Sequence, residues 1–400
     1  MFVKKRTWWV FAALAILGLV AAACGDDDDD GGQAASDGGG DGGSIWVLLP
    51  DTASSDRWEQ EDAPFFTEAF EAAGLSEGED FTVVNAEGDA ATQQSQAEQA
   101  IADGASVIVL ASLDTGSGAT IIDQAKDEGV AVVEYDRFNT GGSGGDAYVS
   151  FDNVAVGAAM AEAVEPAIDA LNLNPARVVM LNGGEEDNNS FLFKQGYEET
   201  VDARVQAGDW QLVDDQFVPG WDNAEAQTIM EQILVDNNNG VDAVFAANDG
   251  LANSVINALE AAGIGPVPLS GQDATEAGIQ NVLLGKQTVS VYKPIQDEAG
   301  VAAAIALALR SGDDIIDAAE SYQSELASGG SDVSVIGITA EDGQPADSAE
   351  GDGVVPYIAL VPIGVTADNV ADTVIADEFR TVEELCTGDV ASTDFCQQNS

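Results

Sequence analysis

Charged, amide and aromatic side chains gather in this chain where apolar runs end. The run Val130-Ala131-Val132-Val133-Glu134-Tyr135 stops at Asp136-Arg137, an acid beside a base. Asp187-Asn188-Asn189 follows the run ending at Leu181, Asn248-Asp249 the run around Val244, and Gln272-Asp273 the run Leu269-Ser270-Gly271. Lys293 follows Val291-Tyr292, Trp221 follows Gln216 to Gly220, and Arg57-Trp58 comes one loop after the first apolar run. Carboxylate, amide and guanidinium groups are planar and hold two hydrogen bonds at once. Neighbouring hydroxyls both donate and accept, so such groups suit a polyhydroxylated ligand, and an indole can cover the C–H face of a pyranose ring. Taken singly, each residue has a plainer reading: Asp187, Asn188 and Asn248 as helix caps, Trp221 as core, Asp273 as a turn. Their recurrence at the ends of apolar runs favours a binding site.

The elements that must position these residues alternate between strand and helix. Strands are expected at Ser44 to Leu49, Phe81 to Val84, Val107 to Leu110, Val130 to Tyr135 and Ala147 to Phe151. Helices are expected near Arg57 to Ala73, Thr92 to Ala102 and Thr120 to Glu128. The pattern then repeats, with helices at Val154 to Leu171, Phe191 to Val205, Ala224 to Val235, Leu251 to Ala261 and Glu276 to Leu284. Strands in this half are Arg177 to Leu181, Trp210 to Phe217, Ala243 to Ala246, Val267 to Ser270 and Val289 to Val291. Uniformly apolar strands between helices predict parallel sheets covered on both faces. Ligands of such sheets meet the carboxyl ends of the strands, where the polar set lies. After Pro294, Ile295 to Leu309 is apolar enough to predict a buried helix, and weaker strands follow at Val333 to Ile338 and Tyr357 to Val361. Gly116-Ser117-Gly118 lacks the third glycine of a dinucleotide loop, so that reading is set aside.

Composition narrows the function further. The 400 residues carry 71 acidic against 13 basic side chains, a formal charge of −58, which excludes nucleic acid as a partner and points to a saline habitat. There is no His, so His-based triads and His metal sites are excluded. Beyond Lys4, Lys5 and Arg6 ten basic residues remain, and three of them, Arg57, Arg137 and Lys293, fall at the strand ends. In a chain that has shed most Lys and Arg, these three predict specific partners.

The amino end reads as an export signal over residues 1–23: a basic Lys4-Lys5-Arg6, an apolar Thr7 to Val20, then Ala21-Ala22-Ala23-Cys24. Small residues before Cys24 predict lipidation of that cysteine, and ordinary cleavage releasing a free periplasmic or secreted protein is the alternative. Residues 24–44 then form a disordered acidic tether, on the order of 25 Å long as a random coil. Export into oxidising surroundings predicts that Cys386 and Cys396, the remaining pair, form a disulfide.

Arg57-Trp58, Ser95-Gln96-Ala97-Glu98, Tyr135-Asp136-Arg137, Ser150-Phe151-Asp152-Asn153, Asp187-Asn188-Asn189 and Asp215-Gln216-Phe217 with Gly220-Trp221 stand in an order that resembles a known family. So do Asn248-Asp249, Ser270-Gly271-Gln272-Asp273 and Val291-Tyr292-Lys293-Pro294. The chain resembles the type I periplasmic sugar-binding proteins of ABC transporters from about Ile45 to Asp377. The resemblance implies two Rossmann-like α/β lobes, a ligand cleft between them, and three crossings, near Ser150, near Pro294 and within Ala327 to Gly343. It divides the chain into a first lobe (45–150 plus 295–330), a second lobe (151–294 plus 331–376) and a tail (377–400). It implies no catalysis, no cofactor and no metal. Arg57, Asp136, Arg137, Asp187, Asn189, Asn248, Asp273 and Lys293 would hydrogen-bond a monosaccharide, with Trp58 and Trp221 packed on it and Asn188 replacing or joining Asn189. The spacing before Trp221 and the Tyr-Lys-Pro signature lean towards D-xylose; a broader aldose binder of glucose, galactose or arabinose is the alternative. The partners implied are an ABC permease and its ATPase, reached by a lipid-anchored monomer. A sensory module for chemotaxis or a two-component system would use the same cleft, and a sugar hydrolase would need an acid–base pair with separated pKa values.

Overall fold

The computed structural model describes residues 42–399, except 53, 56, 327–332, 347 and 350 and the side chains of 323–326. The signal, Cys24 and nearly all of the tether lie outside the described residues. Five strands open the first lobe: β1 (Ser44–Leu49), β2 (Phe81–Asn85), β3 (Ala105–Leu110), β4 (Ala131–Tyr135) and β5 (Ala147–Phe151). They alternate with α1 (Ala63–Ala72), α2 (Ala90–Ala102) and α3 (Thr115–Asp127), and Trp58–Asp62 winds a π-helical turn ahead of α1. All five strands pair in parallel, in the order β5-β4-β3-β1-β2. Val47, Val107, Val109, Val133 and Val149 have no exposed surface, as a sheet covered on both faces requires.

The second lobe contains α4 (Asn153–Ala170), β6 (Ala176–Asn182), α5 (Asn188–Ala207), β7 (Trp210–Phe217), α6 (Asn223–Asp236), β8 (Ala243–Ala246), α7 (Asp249–Ala261), α8 (Glu276–Leu283) and β9 (Ser290–Tyr292). Its sheet is parallel, in the order β7-β6-β8. The strand expected over Val267 to Ser270 shrinks to one bridge, Leu269 to Val244. Pro266 and Pro268 bring no N–H to a ladder there, although the Pro268 carbonyl still accepts from Val244 N at 3.0 Å. Beyond Pro294, α9 (Ile295–Ser311) returns to the first lobe and packs on α1, β3, β4 and β5, and α10 (Ile315–Leu326) packs on α9.

The assignment of 331–376 to the second lobe is corrected by the strand pairing. The strands β10 (Val333–Thr339), β11 (Pro345–Ala346) and β12 (Val354–Leu360) join the first sheet, giving eight strands in the order β11-β10-β12-β5-β4-β3-β1-β2. Strand β12 lies parallel to β5 with Tyr357 opposite Tyr148, and β10 runs back antiparallel along it. The third crossing therefore falls at Val361-Pro362, not within Ala327 to Gly343, and leads into β13 (Ile363–Val365), which pairs antiparallel with β9. Pairing partners of short strands are set across the fold, so the local pattern did not reveal them. The tail adds α11 (Val382–Leu385) and α12 (Asp394–Asn399), joined by a disulfide between Cys386 and Cys396, whose Cα atoms are 5.5 Å apart.

Candidate functional site

Strand ends and helix starts from both lobes meet around roughly 320 Å³ of empty space. Its wall includes Ser54, Ser55, Arg57, Trp58, Asp136 and Arg137 from the first lobe. The second lobe supplies Asp187, Asn189, Phe193, Trp221, Asn248, Gln272 and Asp273, with Lys293 at the second crossing. Ten of the eleven residues picked from the sequence as ligand contacts thus come together. The exception is Asn188, whose Nδ2 donates to the Gly343 carbonyl at 3.2 Å and which does not line the space. Asn188 and Asn189 are consecutive on α5 and point about 100° apart, so only one faces the cavity.

The first-lobe corner is an ion network centred on Arg57. Its Nε and Nη2 donate to the two oxygens of Asp62 at 2.9 and 2.7 Å, Nη1 donates to Asp136 Oδ2 at 2.8 Å, and Nη2 donates to Glu298 Oε2 at 3.0 Å. Burial alone would lower the guanidinium pKa; Asp62, Asp136 and Glu298 more than reverse it. Tyr135 Oη donates to Asp62 Oδ1 at 2.6 Å. Burial and the nearby Asp136 push the Glu298 carboxyl up, towards its neutral form. Asp136 sits in the left-handed region, φ 58°, at the end of β4, with its amide tied to Val149 O. Burial acts to raise its pKa, but Lys293, Arg57 and Arg137 hold it well below the usual carboxylate range.

Arg137 is fixed by bonds to Ser112 O and Ser54 Oγ, both at 3.1 Å, and its Nε lies 3.3 Å from Asp187 Oδ2 across the cleft. The indole of Trp58 donates to Ser54 Oγ and has the guanidinium carbons of Arg57 and Arg137 at 4.5 and 5.3 Å from its ring centre.

On the second-lobe side, Asp187 and Asn248 cap helices and also line the cavity. Asp187 Oδ1 caps α5 by accepting from Asn189 N at 2.9 Å, which leaves Oδ2 for Arg137. Asn248 Oδ1 caps α7 through Leu251 N at 2.8 Å, which leaves its Nδ2 uncommitted to the cap. A two-atom head group can serve a helix end with one atom and a cleft with the other. Burial raises the Asp187 pKa by more than Arg137 lowers it.

Asn189 Nδ2 donates to the Asp136 carbonyl at 2.9 Å, and its Oδ1 accepts from Asn153 Nδ2 at 2.8 Å. Trp221 follows Gly220 in a left-handed turn, φ 54°, that lays its ring over Gly183. A Cβ at Gly183 would stand 2.2 Å from that ring, so the close approach requires glycine. Asp273, φ 92°, lies 3.3 Å from Lys293 Nζ, near enough for an ion pair but out of line for a hydrogen bond. Burial would lower the Lys293 pKa, but Asp136 and Asp273 hold it raised.

Four wall residues were missed as contacts. Phe193 lies one turn beyond Asn189 on the same helix face, a spacing legible in the sequence. Gln272 stands beside Asp273 in a run already noted, and Ser54 and Ser55 precede Arg57. Two supports, Asp62 and Glu298, were also missed; a glutamate inside the apolar run Ile295 to Leu309 was the available signal for the second. No cluster of potential metal ligands occurs among the described residues.

A two-lobed α/β chain with a polar, indole-lined cavity at its crossings is the architecture of a solute-binding protein. Residues 46–314 match the periplasmic binding protein domain, and the chain belongs to that family, whose members bind solutes rather than turn them over. It is 35% identical over 338 residues to the D-xylose-binding periplasmic protein of Escherichia coli (strain K12), covering 84% of this chain and 90% of that one. Identity to the protein of the same name in Haemophilus influenzae is also 35%, over 340 residues, 84% of this chain and 91% of the relative. Among solved structures, an ABC transporter solute-binding protein of Clostridium phytofermentans with bound β-D-glucose superposes with a TM-score of 0.68 at 25% identity. It covers 85% of this chain and 99% of its own.

Proposed function

We propose that this chain binds a monosaccharide, D-xylose above other aldoses, in the interlobe cavity and delivers it to an ABC permease. The observation that carries this reading is a set of buried wall atoms without a protein hydrogen bond: Trp221 Nε1, a donor, and Gln272 Oε1 and Asp273 Oδ1, both acceptors. Buried polar atoms are normally satisfied, so these await a ligand that both accepts and donates, as hydroxyls do. Arg57, Arg137 and Lys293 each stand against carboxylates, so no cation is left over to demand an anionic ligand. Trp58 and Trp221 both line the space, and an indole can cover the C–H face of a pyranose ring. The xylose-binding relatives favour the pentose; the glucose in the Clostridium structure marks a hexose as the competing choice.

Calorimetry against D-xylose, L-arabinose, D-ribose, D-glucose and D-galactose tests the reading. Xylose should bind tightest; a hexose binding tightest would overturn the pentose choice, and no binding by any of them would overturn the sugar reading. The reading includes export and a lipid anchor at Cys24, which holds the lobes near the membrane face of the permease. Detergent-phase partition of the expressed chain, abolished by Cys24→Ser, is the expected result, and release of the unaltered chain into the aqueous phase would refute the anchor.

A further inference from the structure

The acidic C-terminal tail contains one arginine that reaches both lobes. Arg380 Nη2 donates to Glu61 Oε1 at 2.8 Å, and its Nε donates to the Ala274 carbonyl at 3.0 Å. Glu61 belongs to the π-helical turn Trp58–Asp62 of the first lobe, directly after the wall residues Arg57 and Trp58. Ala274 belongs to the second lobe and follows the wall residue Asp273; both stand in the left-handed region, φ 47° and 92°. Such residues persist only where their surroundings hold them. The Asp273 amide is tied to Val291 O at 2.9 Å and the Ala274 amide to Ser290 Oγ at 3.0 Å, and Arg380 takes the outward carbonyl of the same turn.

The arginine is itself well held. Its guanidinium carbon lies 4.2 Å from the centre of the Phe379 ring, which packs on Tyr292 beside Lys293. Leu385, in the helical turn that follows, is buried in one apolar cluster with Ile279, Tyr292 and Val365, and the Cys386–Cys396 disulfide closes the chain just beyond. Arg380 does not line the sugar cavity; it lines the wider space, ≈ 1260 Å³, that adjoins the cavity between the lobes. From that place Arg380 reaches the Asp273 turn of the second lobe and Glu61 of the first.

We propose that Arg380 is a positioning residue for the sugar cavity, a latch from the tail that ties the Asp273 turn to the Arg57–Trp58 turn when the lobes are closed. The latch rests on the sugar-binding reading and adds to it a residue that slows release without touching the ligand. Glu61 and Arg380 are both largely sheltered, with side chains 12% and 13% exposed, so their pair is screened less than an ordinary surface pair. Opening the cleft would part Glu61 from Arg380 while the Ala274 bond, within the second lobe, remains.

The test is stopped-flow tryptophan fluorescence of xylose release from the full chain, its Arg380→Gln and Glu61→Gln variants, the double variant and Arg380→Lys. Each Gln variant should speed release about tenfold, the size expected for loss of a sheltered charge-assisted bond. The double variant should release no faster than the faster single one, because both remove one interaction. Lysine recovers the Glu61 pair without the fork that also holds Ala274, and should recover part of the loss. The ratio of xylose to glucose affinity should not move, since neither residue meets the sugar.

Should Arg380→Gln prove poorly folded, Glu61→Gln carries the same prediction from the other lobe. Release at the wild-type rate from a folded Gln variant, or losses that multiply in the double variant, would overturn the latch. If the unaltered chain binds no monosaccharide, the functional reading falls as well; normal binding with unchanged variants removes the latch alone.

Discussion

On the first-lobe wall of the cavity, Arg57 already meets Asp62, Asp136 and Glu298, and among these partners only Glu298 keeps an oxygen, Oε1, without a hydrogen bond. On the second-lobe wall, Trp221 and Gln272 each keep a buried polar atom that no protein group meets, and Asp273 Oδ1 has the Lys293 ammonium nearby but no hydrogen bond. The first wall is thus largely satisfied within the protein, and the second keeps atoms that the proposed ligand would complete. The first wall should therefore report chiefly on stability and the second chiefly on affinity. Pre-organised charge on one side lowers the reorganisation that binding demands, and unmet atoms on the other make binding specific.

The sharpest way to break this contrast is to remove Arg57. Arg57→Met would leave the Asp62 carboxylate buried without its cation and Asp136 with Lys293 as its remaining ion-pair partner, and should cost about 3–5 kcal/mol of stability. Chemical denaturation of the unliganded protein measures it; a loss below about 1 kcal/mol would show that the first wall is not held by this network. Trp221→Ala should instead cost affinity, about 2–4 kcal/mol, as loss of a central aromatic contact does. Titration with xylose decides that, and unchanged affinity in a folded variant would remove Trp221 from the site. Asp273→Asn keeps the shape and leaves Lys293 paired with Asp136, so stability should hold while affinity drops by about 1–3 kcal/mol. A denaturation midpoint that falls more than the affinity does would place Asp273 with the first wall.

Titration separates the two kinds of buried acid in another way. Desolvation pushes Glu134 and Asp249 up to about 7, even though Gly145, Asn139, Gln287 and Ser290 donate to them. Both values lie above the usual carboxylate range of about 4, so between about pH 4 and 7 the folded chain keeps protons that the unfolded chain has released. Stability from these groups should fall as pH rises through that window and level off above 7. Asp136 works in the opposite sense: its depressed pKa contributes stability above about pH 4 that is lost only as pH falls through the lower folded value. Thermal melts across about pH 5 to 8 should show midpoints declining with pH, and Glu134→Gln and Asp249→Asn should flatten the decline. A decline that survives both substitutions would assign it to the general acidity of the chain instead.

The smallest effect expected is that of salt on closure. In the proposed site a pyranose would take contacts from both lobes, so binding would favour the closed arrangement by the sugar's differential affinity. The lobes repel through their shared negative charge, and salt screens that repulsion while leaving contacts to a neutral sugar alone. X-ray scattering should show a smaller radius of gyration on saturation with xylose, and affinity should hold or rise slightly with ionic strength. An affinity that falls steeply with salt would contradict this.

What the sequence determined by itself was local or periodic. The apolar run Ala243–Ala246 and the more polar segment Trp210–Phe217 are both strands at the limits read from the residues alone, because length and flanking turns bound a strand within a few residues. The rule that ligands meet strand ends then selected Asp136, Arg137, Asn248, Asp273 and Lys293, all of which the fold brings to one cavity.

Tertiary structure decided what depends on partners far away in the chain. Glu298 meets Arg57 across 241 residues of sequence. The strand at Val354–Leu360 joins the first sheet because β5 offers it a free edge, and that choice moves the third crossing to Val361-Pro362. Asn188 and Asn189 are the same side chain one residue apart, and only the rotation of α5 sends one to the cavity and the other to Gly343. A sequence records which groups are able to bind; which of them stay unmet depends on what the rest of the fold has already satisfied.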